Sequence, residues 1–236
     1  MLIFFDTEFT GLVPNTSLIS IGMVSADGKK FYGEFLDYNA NLCDNWLKEN
    51  VIANCLINTS RKDGLCKQFD YIESLSQIYG RPTNIENLFA VYMTHDQLDI
   101  YRKMKEDENL TVSIGPNDVV REALTNWLKQ WRVQPIQLVS DVSHYDMELF
   151  CSIFGGAMNL PDNVTPACFD ICQDIALNFN EINNLNDSLS IRMHNAFDIS
   201  REDLCKRLGK ELPVGRKHNA LYDAEVIKLI FEGLHE

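Results

Sequence analysis

The sequence predicts an α/β domain built on a mixed five-stranded sheet, antiparallel in its first three strands and parallel thereafter, flanked by helices. Three apolar, strand-like runs come first, with a tight Asp27-Gly28 turn between the second and third. From Asn117 onward helix-like and strand-like segments alternate, the pattern of parallel strands covered by helices. The 236 residues, 45% hydrophobic, are ample for one core and do not require a second domain. Residues 1–236 are therefore read as a single domain carrying a helical or irregular insertion at about 58–116.

The elements follow in order. Leu2 to Glu8, Leu18 to Ser25 and Lys30 to Leu36 read as the opening meander. A helical piece is expected around Asp44 to Ala53, with Asp44 as its N-cap ahead of Trp46, Leu47 and Val51. Within the insertion stand a charged helix-like stretch, Asp99 to Asn109, and a turn at Gly80-Arg81-Pro82. Asp118 to Trp131 places Val119, Val120, Ala123, Leu124, Trp127, Leu128 and Trp131 at helical spacing. Gln137 to Ser140 is a short strand, and Asp146 to Phe154 a helix stopped by Gly155-Gly156. Ala167 to Asp170 is a further strand leading into a helix from Ile171 to Phe179. Ser200 begins a helix, and the last one runs from about Ala220 to Leu234.

A formal charge of −13 argues against a protein that coats nucleic acid through a broad basic surface. It leaves room for one whose bound cations attract phosphate locally, over a short strand end. No stretch has the length of a membrane span, and the N-terminal apolar run is short and lacks a basic flank, so a soluble cytoplasmic protein is expected. The seven cysteines form no Cys-x-x-Cys pair, which makes reduced thiols the expectation rather than a zinc site.

Chemistry concentrates in the acids. Asp6 and Glu8 close an apolar strand two residues apart, so their side chains point the same way and together invite a divalent cation. A strand end that reaches solvent is the ordinary alternative. Asp223 falls inside the Ala220, Ala224, Ile227, Phe231, Leu234 stripe of the last helix. Asp146 likewise sits over the Leu149, Phe150, Ile153, Phe154 face; for each of these two, a helix N-cap or first-turn acid is an even alternative. His218, five residues before Asp223, points toward whatever Asp223 faces, although a lone histidine is more often structural. Asp170 and Asp174 read as helix-start acids.

Three motifs carry a resemblance: Asp6-Thr7-Glu8-Phe9-Thr10-Gly11-Leu12, Tyr145-Asp146 opening a helix, and His218-Asn219-Ala220-Leu221-Tyr222-Asp223-Ala224. Together they resemble the exonuclease motifs of the DEDDh 3′–5′ exonucleases. Within that superfamily the layout looks most like the small bacterial exoribonucleases typified by the mycobacterial polyadenylate-degrading enzyme. Those share the Tyr-Asp motif and a Trp-containing helix after the third strand, here Asn45-Trp46-Leu47. The resemblance leaves out about 58–116 and 181–199. Many family members carry His-Asn ahead of the second-motif aspartate, whereas this chain reads Asp141-Val142-Ser143-His144-Tyr145-Asp146; Asp146 is preferred over Asp141 as ligand because it follows the aromatic residue and opens the helix.

The resemblance implies a ribonuclease H-like sheet on which Asp6, Glu8, Asp146 and Asp223 hold two Mg²⁺ or Mn²⁺ ions, with His218 as general base. It implies release of nucleoside 5′-monophosphates from the 3′ end of single-stranded nucleic acid, RNA favoured over DNA, with Phe9, Thr10, Gly11 and Leu12 meeting the terminal nucleotide. Leu12 matches the residue that packs on the terminal base in family members, beside the plain alternative of loop burial. A homodimer is also implied by the family and by nothing in composition or periodicity. A single-stranded DNA exonuclease and a catalytically silent binding module of the same fold are the competing expectations. Base preference, pathway and the role of the insertion are not encoded in any motif.

Overall fold

The computed structural model describes residues 1–57, 89 and 92–236. The expected turn at Gly80-Arg81-Pro82 lies outside the described residues, as does most of the expected insertion. In chain order the chain forms β1 (Leu2–Phe9), β2 (Leu18–Ser25), β3 (Lys30–Phe35), α1 (Asn45–Asn50), α2 (His95–Glu106), β4 (Leu110–Gly115) and α3 (Asn117–Leu128). Then come β5 (Ile136–Ser140), α4 (His144–Ile153), β6 (Val164–Asp170), α5 (Ile171–Asn183), α6 (Leu189–Asp198), α7 (Arg201–Arg207) and α8 (Ala220–Leu234). No helix among the described residues is long and apolar enough to cross a membrane.

The strands make one mixed sheet in the order β4-β3-β2-β1-β5-β6. β1 with β2 and β2 with β3 are antiparallel, whereas β5 joins β1, β6 joins β5 and β4 joins β3 in parallel. Among the described residues the sheet has six strands where five are expected. Leu110–Gly115 falls within the expected irregular insertion, yet its amides and carbonyls complete the outer edge of β3 from Lys30 to Phe35. The preceding helix ends at Glu106 rather than running on to Asn109. It starts at His95 behind a capping box in which Thr94 and Gln97 satisfy each other's backbone amides. Two short helices, α6 and α7, lie between α5 and the loop leading into α8, and α6 had no expected counterpart.

Strand alternation sends β1 to both faces of the sheet. Ile3 and Phe5 enter a core with Val120, Leu124 and Trp127 of α3 and with Phe150 and Ile153 of α4. Phe4 enters the opposite core with Ile171 and Ile175 of α5, Leu204 of α7 and Ile227 and Ile230 of α8. Asp6 and Glu8 therefore continue the Phe4 face, the one that α8 covers. β2, buried at every position, lies sandwiched between the two layers.

Gly22 sets how closely α8 can approach. It pairs with Asp6 across the β1–β2 ladder, and a Cβ there would stand 2.2 Å from the backbone of Ala220 and Leu221. The first turn of α8 thus rests directly on β2, with Asn219 as N-cap accepting from the Tyr222 amide. That contact places Asp223 over the Asp6 and Glu8 end of β1. Gly22→Ala should push the helix off the sheet at about 3 kcal/mol, the upper end of overpacking costs, read as a lowered urea midpoint. A loss below about 1 kcal/mol would show that the contact does not set the spacing.

Candidate active site

Asp6 and Glu8 of β1 share one cleft with His218 and Asp223 from the far end of the chain. Ligand atoms of Glu8, His218 and Asp223 lie within 4.8 Å of one another, with His218 Nδ1 4.0 Å from Glu8 Oε1. Asp6 stands one residue pair back along the strand and faces the charges of Asp146, Asp223, Glu8 and Asp141. These acids and His218 open onto a cleft of about 480 Å³, also lined by Asp141, Phe197, Arg201 and Lys217. That size falls within the ~300–1,000 Å³ of small-ligand sites. Asp146 is buried and does not line the cleft.

Asp146 comes to the same strand end from the Thr7 side. Its Oδ1 accepts from the Thr7 amide at 3.1 Å and from the Thr7 hydroxyl, and its Oδ2 accepts from the Ser140 hydroxyl at 2.7 Å. Thr7 and Ser140 thus hold this carboxylate in place, a role the sequence reading did not assign. Asp141 turns both oxygens to Arg201, whose Nε and Nη2 donate at 2.6 and 2.8 Å in a bidentate pair. Arg201 also donates to the carbonyls of Ala196 and Ile199, which pins the α6–α7 corner against the end of β5. Asp170 caps α5 through the Cys172 amide and also accepts from the amides of Val142 and Ser143.

Two non-glycine residues at the rim adopt left-handed backbone, Val142 at φ 51° and His218 at φ 63°. Such conformations cost of order 1–3 kcal/mol and persist where surroundings over-determine them. For Val142 the restraint is Asp170. For His218 it is its own amide, which donates to Asp223 Oδ2 at 2.8 Å, and the Asn54 side chain, which donates to its carbonyl at 3.4 Å. The edge of Trp46 rests against the His218 ring, with centroids 5.0 Å apart.

Residues 9–12 divide in their roles. Phe9 stacks on Tyr145 at 5.7 Å and 15°. Thr10 is buried and faces inward, its hydroxyl accepting from the Ser17 amide at 3.0 Å, so it braces the loop. Gly11 adopts φ 140°, which a side chain would oppose. Leu12 stands 69% exposed at the loop tip, and none of residues 9–12 lines the cleft itself.

Burial and mutual repulsion dominate the electrostatics of these acids. Burial, then the neighbouring acids, raises Asp6 well above its ordinary range. Burial followed by repulsion from Asp223 and Asp146 lifts Glu8 to about 8. Burial raises Asp223 to about 7 against the His218 amide bond, and Asp146 to about 6 against its bonds from Thr7 and Ser140. Among the described residues, no lysine or arginine pairs with Asp6, Glu8 or Asp223. Hard oxygen donors of this kind suit Mg²⁺ or Mn²⁺. Burial and the adjacent Lys217 lower the His218 imidazole, which favours its neutral, proton-accepting form.

No protein-family model and no curated protein matches the chain, and the chemistry of the site rests on its own side chains. Each crowded carboxyl binds its proton more tightly folded than unfolded. Their contribution is therefore fully present below about pH 4, where even the unfolded acids are protonated, and is lost as pH rises through 6 to 8. In chelator, the thermal midpoint should be lower at pH 8 than at pH 5, and Glu8→Gln should flatten that slope. Mn²⁺ should raise the midpoint more at pH 8 than at pH 5, because it binds the deprotonated acids. A slope unchanged in Glu8→Gln would contradict this account of the cluster.

Proposed function

We propose that this chain is a divalent-metal-dependent 3′–5′ exonuclease of the DEDDh type on a ribonuclease H-like sheet, acting on single-stranded RNA ends. The observation that carries the reading is the meeting of Asp6, Glu8 and Asp223 with His218 at one cleft, where among the described residues no lysine or arginine forms an ion pair with these acids. The sheet order, with three antiparallel strands followed by parallel β5 and β6, supports the same reading. The preference for RNA comes from the motif resemblance alone.

Glu8, Asp223 and Asp6 would hold the cations, with Asp146 completing the acidic set from the Thr7 side. A bound pair of Mg²⁺ or Mn²⁺ ions would supply Lewis-acid stabilisation of an in-line phosphodiester hydrolysis. His218, neutral and beside Glu8, takes the proton of the attacking water as general base. The exposed Leu12 packs on the terminal base, and the Phe9–Tyr145 stack supports the loop that carries it. The cleft is sized for a terminal nucleotide rather than a duplex, so an unstacked strand end is the fitting substrate.

Matched RNA and DNA oligonucleotides with Mg²⁺ or Mn²⁺ test the assignment. Nucleoside 5′-monophosphates released from RNA are expected; faster release from DNA would move the reading to a DNA exonuclease, and binding without product would replace catalysis by a silent module. Asp6→Ala and Asp223→Ala should abolish hydrolysis while the fold is retained, and undiminished turnover in either would refute the site. His218→Ala should lower turnover by about 10²–10⁴-fold while sparing cation binding, as measured by titration calorimetry.

A further inference from the structure

We propose that Asn54, anchored by the buried carboxylate of Glu34, is a positioning residue that holds His218 in its working conformation. The inference rests on the exonuclease reading only for the role it gives His218. The left-handed backbone of His218 needs restraint on both sides of the residue. On the amide side that restraint is Asp223, which is also one of the groups offered to a cation. On the carbonyl side it is Asn54, whose Nδ2 donates to the carbonyls of Lys217 at 3.1 Å and His218 at 3.4 Å. One Nδ2 hydrogen goes to the Asn50 carbonyl at 2.6 Å, closing the end of α1, and the other is shared between the Lys217 and His218 carbonyls. Asn54 therefore ties α1, which carries Trp46, to the loop that carries His218.

Asn54 can serve as a fixed point only if its own backbone is fixed. The residues that follow it are locked from two directions. Glu34 accepts from the amides of Leu56 and Ile57, the latter at 3.0 Å, and from the Tyr32 hydroxyl at 2.7 Å. Gln97 of α2 donates to the Cys55 carbonyl at 3.2 Å. Glu34 is 2% exposed and has no cationic partner among the described residues, and burial raises its carboxyl against those three donors. A carboxyl in that setting is costly, and its contacts fix two successive amides. Glu34 pairs with Ser20, and Ser20 pairs with Glu8, so one row across three strands carries both the anchor and a candidate ligand. The register of the sheet thereby sets the position of Glu8 directly and of His218 through Leu56, Ile57 and Asn54.

The test is a double-mutant cycle on the full chain. Asn54→Ala should lower kcat by about 10- to 100-fold, the scale of a modest misplacement, with KM and the Mn²⁺ activation constant within twofold of wild type. In a His218→Ala background the same substitution should cost nothing further, because its effect passes through His218. Equal losses in both backgrounds, or an unchanged kcat in the single variant, would overturn the proposal. Glu34→Gln, which keeps one acceptor oxygen, should lose less kcat than Glu34→Ala; equal loss would remove Glu34 from the chain of contacts. Failure of the wild-type chain to hydrolyse either RNA or DNA would count against the exonuclease reading and not against this one. The positional claim is then read from the imidazole resonances of the five histidines. Asn54→Ala should shift the His218 resonance and leave the others; an unmoved His218 resonance would refute it.

Discussion

Repulsion among carboxylates at one strand end is the constraint on which the rest of this molecule turns. Asp6 and Glu8 share a face of β1, Asp223 descends on them from α8, and Asp146 approaches from the far side of the strand. Left to themselves these groups would separate or remain protonated, and the folded chain holds them together through apolar packing that has nowhere else to go. Phe4 below them is committed to a core with Ile227 and Ile230, and the helix that supplies those residues necessarily brings Asp223 with it. The hydrophobic layer thus works against the electrostatics, and the crowded acids hold their protons more tightly as a result.

The supporting structure keeps that arrangement from relaxing. β2 has no side chain at Gly22, which lets α8 lie against the strand backbone, and the helix cannot tilt away without opening the core behind it. Restraints converge on the loops as well. The Asp141–Arg201 pair fixes the α6–α7 corner, and Asp170 holds the turn ahead of α4. Val142 keeps its unfavourable backbone angle through Asp170, and His218 keeps its own through Asp223 and Asn54. The cleft is accordingly built from rigid elements, with Leu12 exposed at the tip of its flanking loop.

Much of this was legible because local periodicity encodes it. Alternation along Leu2 to Glu8 put both acids on one face, and the stripe on the last helix singled out Asp223 as a charge among apolar neighbours. Other features depend on partners far along the chain. Nothing near Asp141 announces Arg201, sixty positions later. Nothing near Asn54 or Glu34 announces His218. β4 was hidden because its first half is only partly covered, so Leu110 to Val112 lacks the apolar run of a central strand. α6 escaped because Leu189, Met193 and Phe197, at 51%, 38% and 61% exposure, point outward and do not mark a core face. Thr10, read as a contact to substrate, turned inward because Ser17 offers its amide from across the loop.

The outer strand of the sheet has a bearing on how copies of this chain behave in concentrated solution. Among the described residues β6 pairs on one side only, and its register with β5 slips between Ile136 and Leu138, opposite the stretch that contains Pro166. Proline brings no amide hydrogen, and Pro166 is exposed. A strand from another molecule that tried to extend the sheet there would find a broken ladder on a kinked border. At Pro166 this border strand has no amide hydrogen to offer a second sheet, at no cost to the packing of the interior.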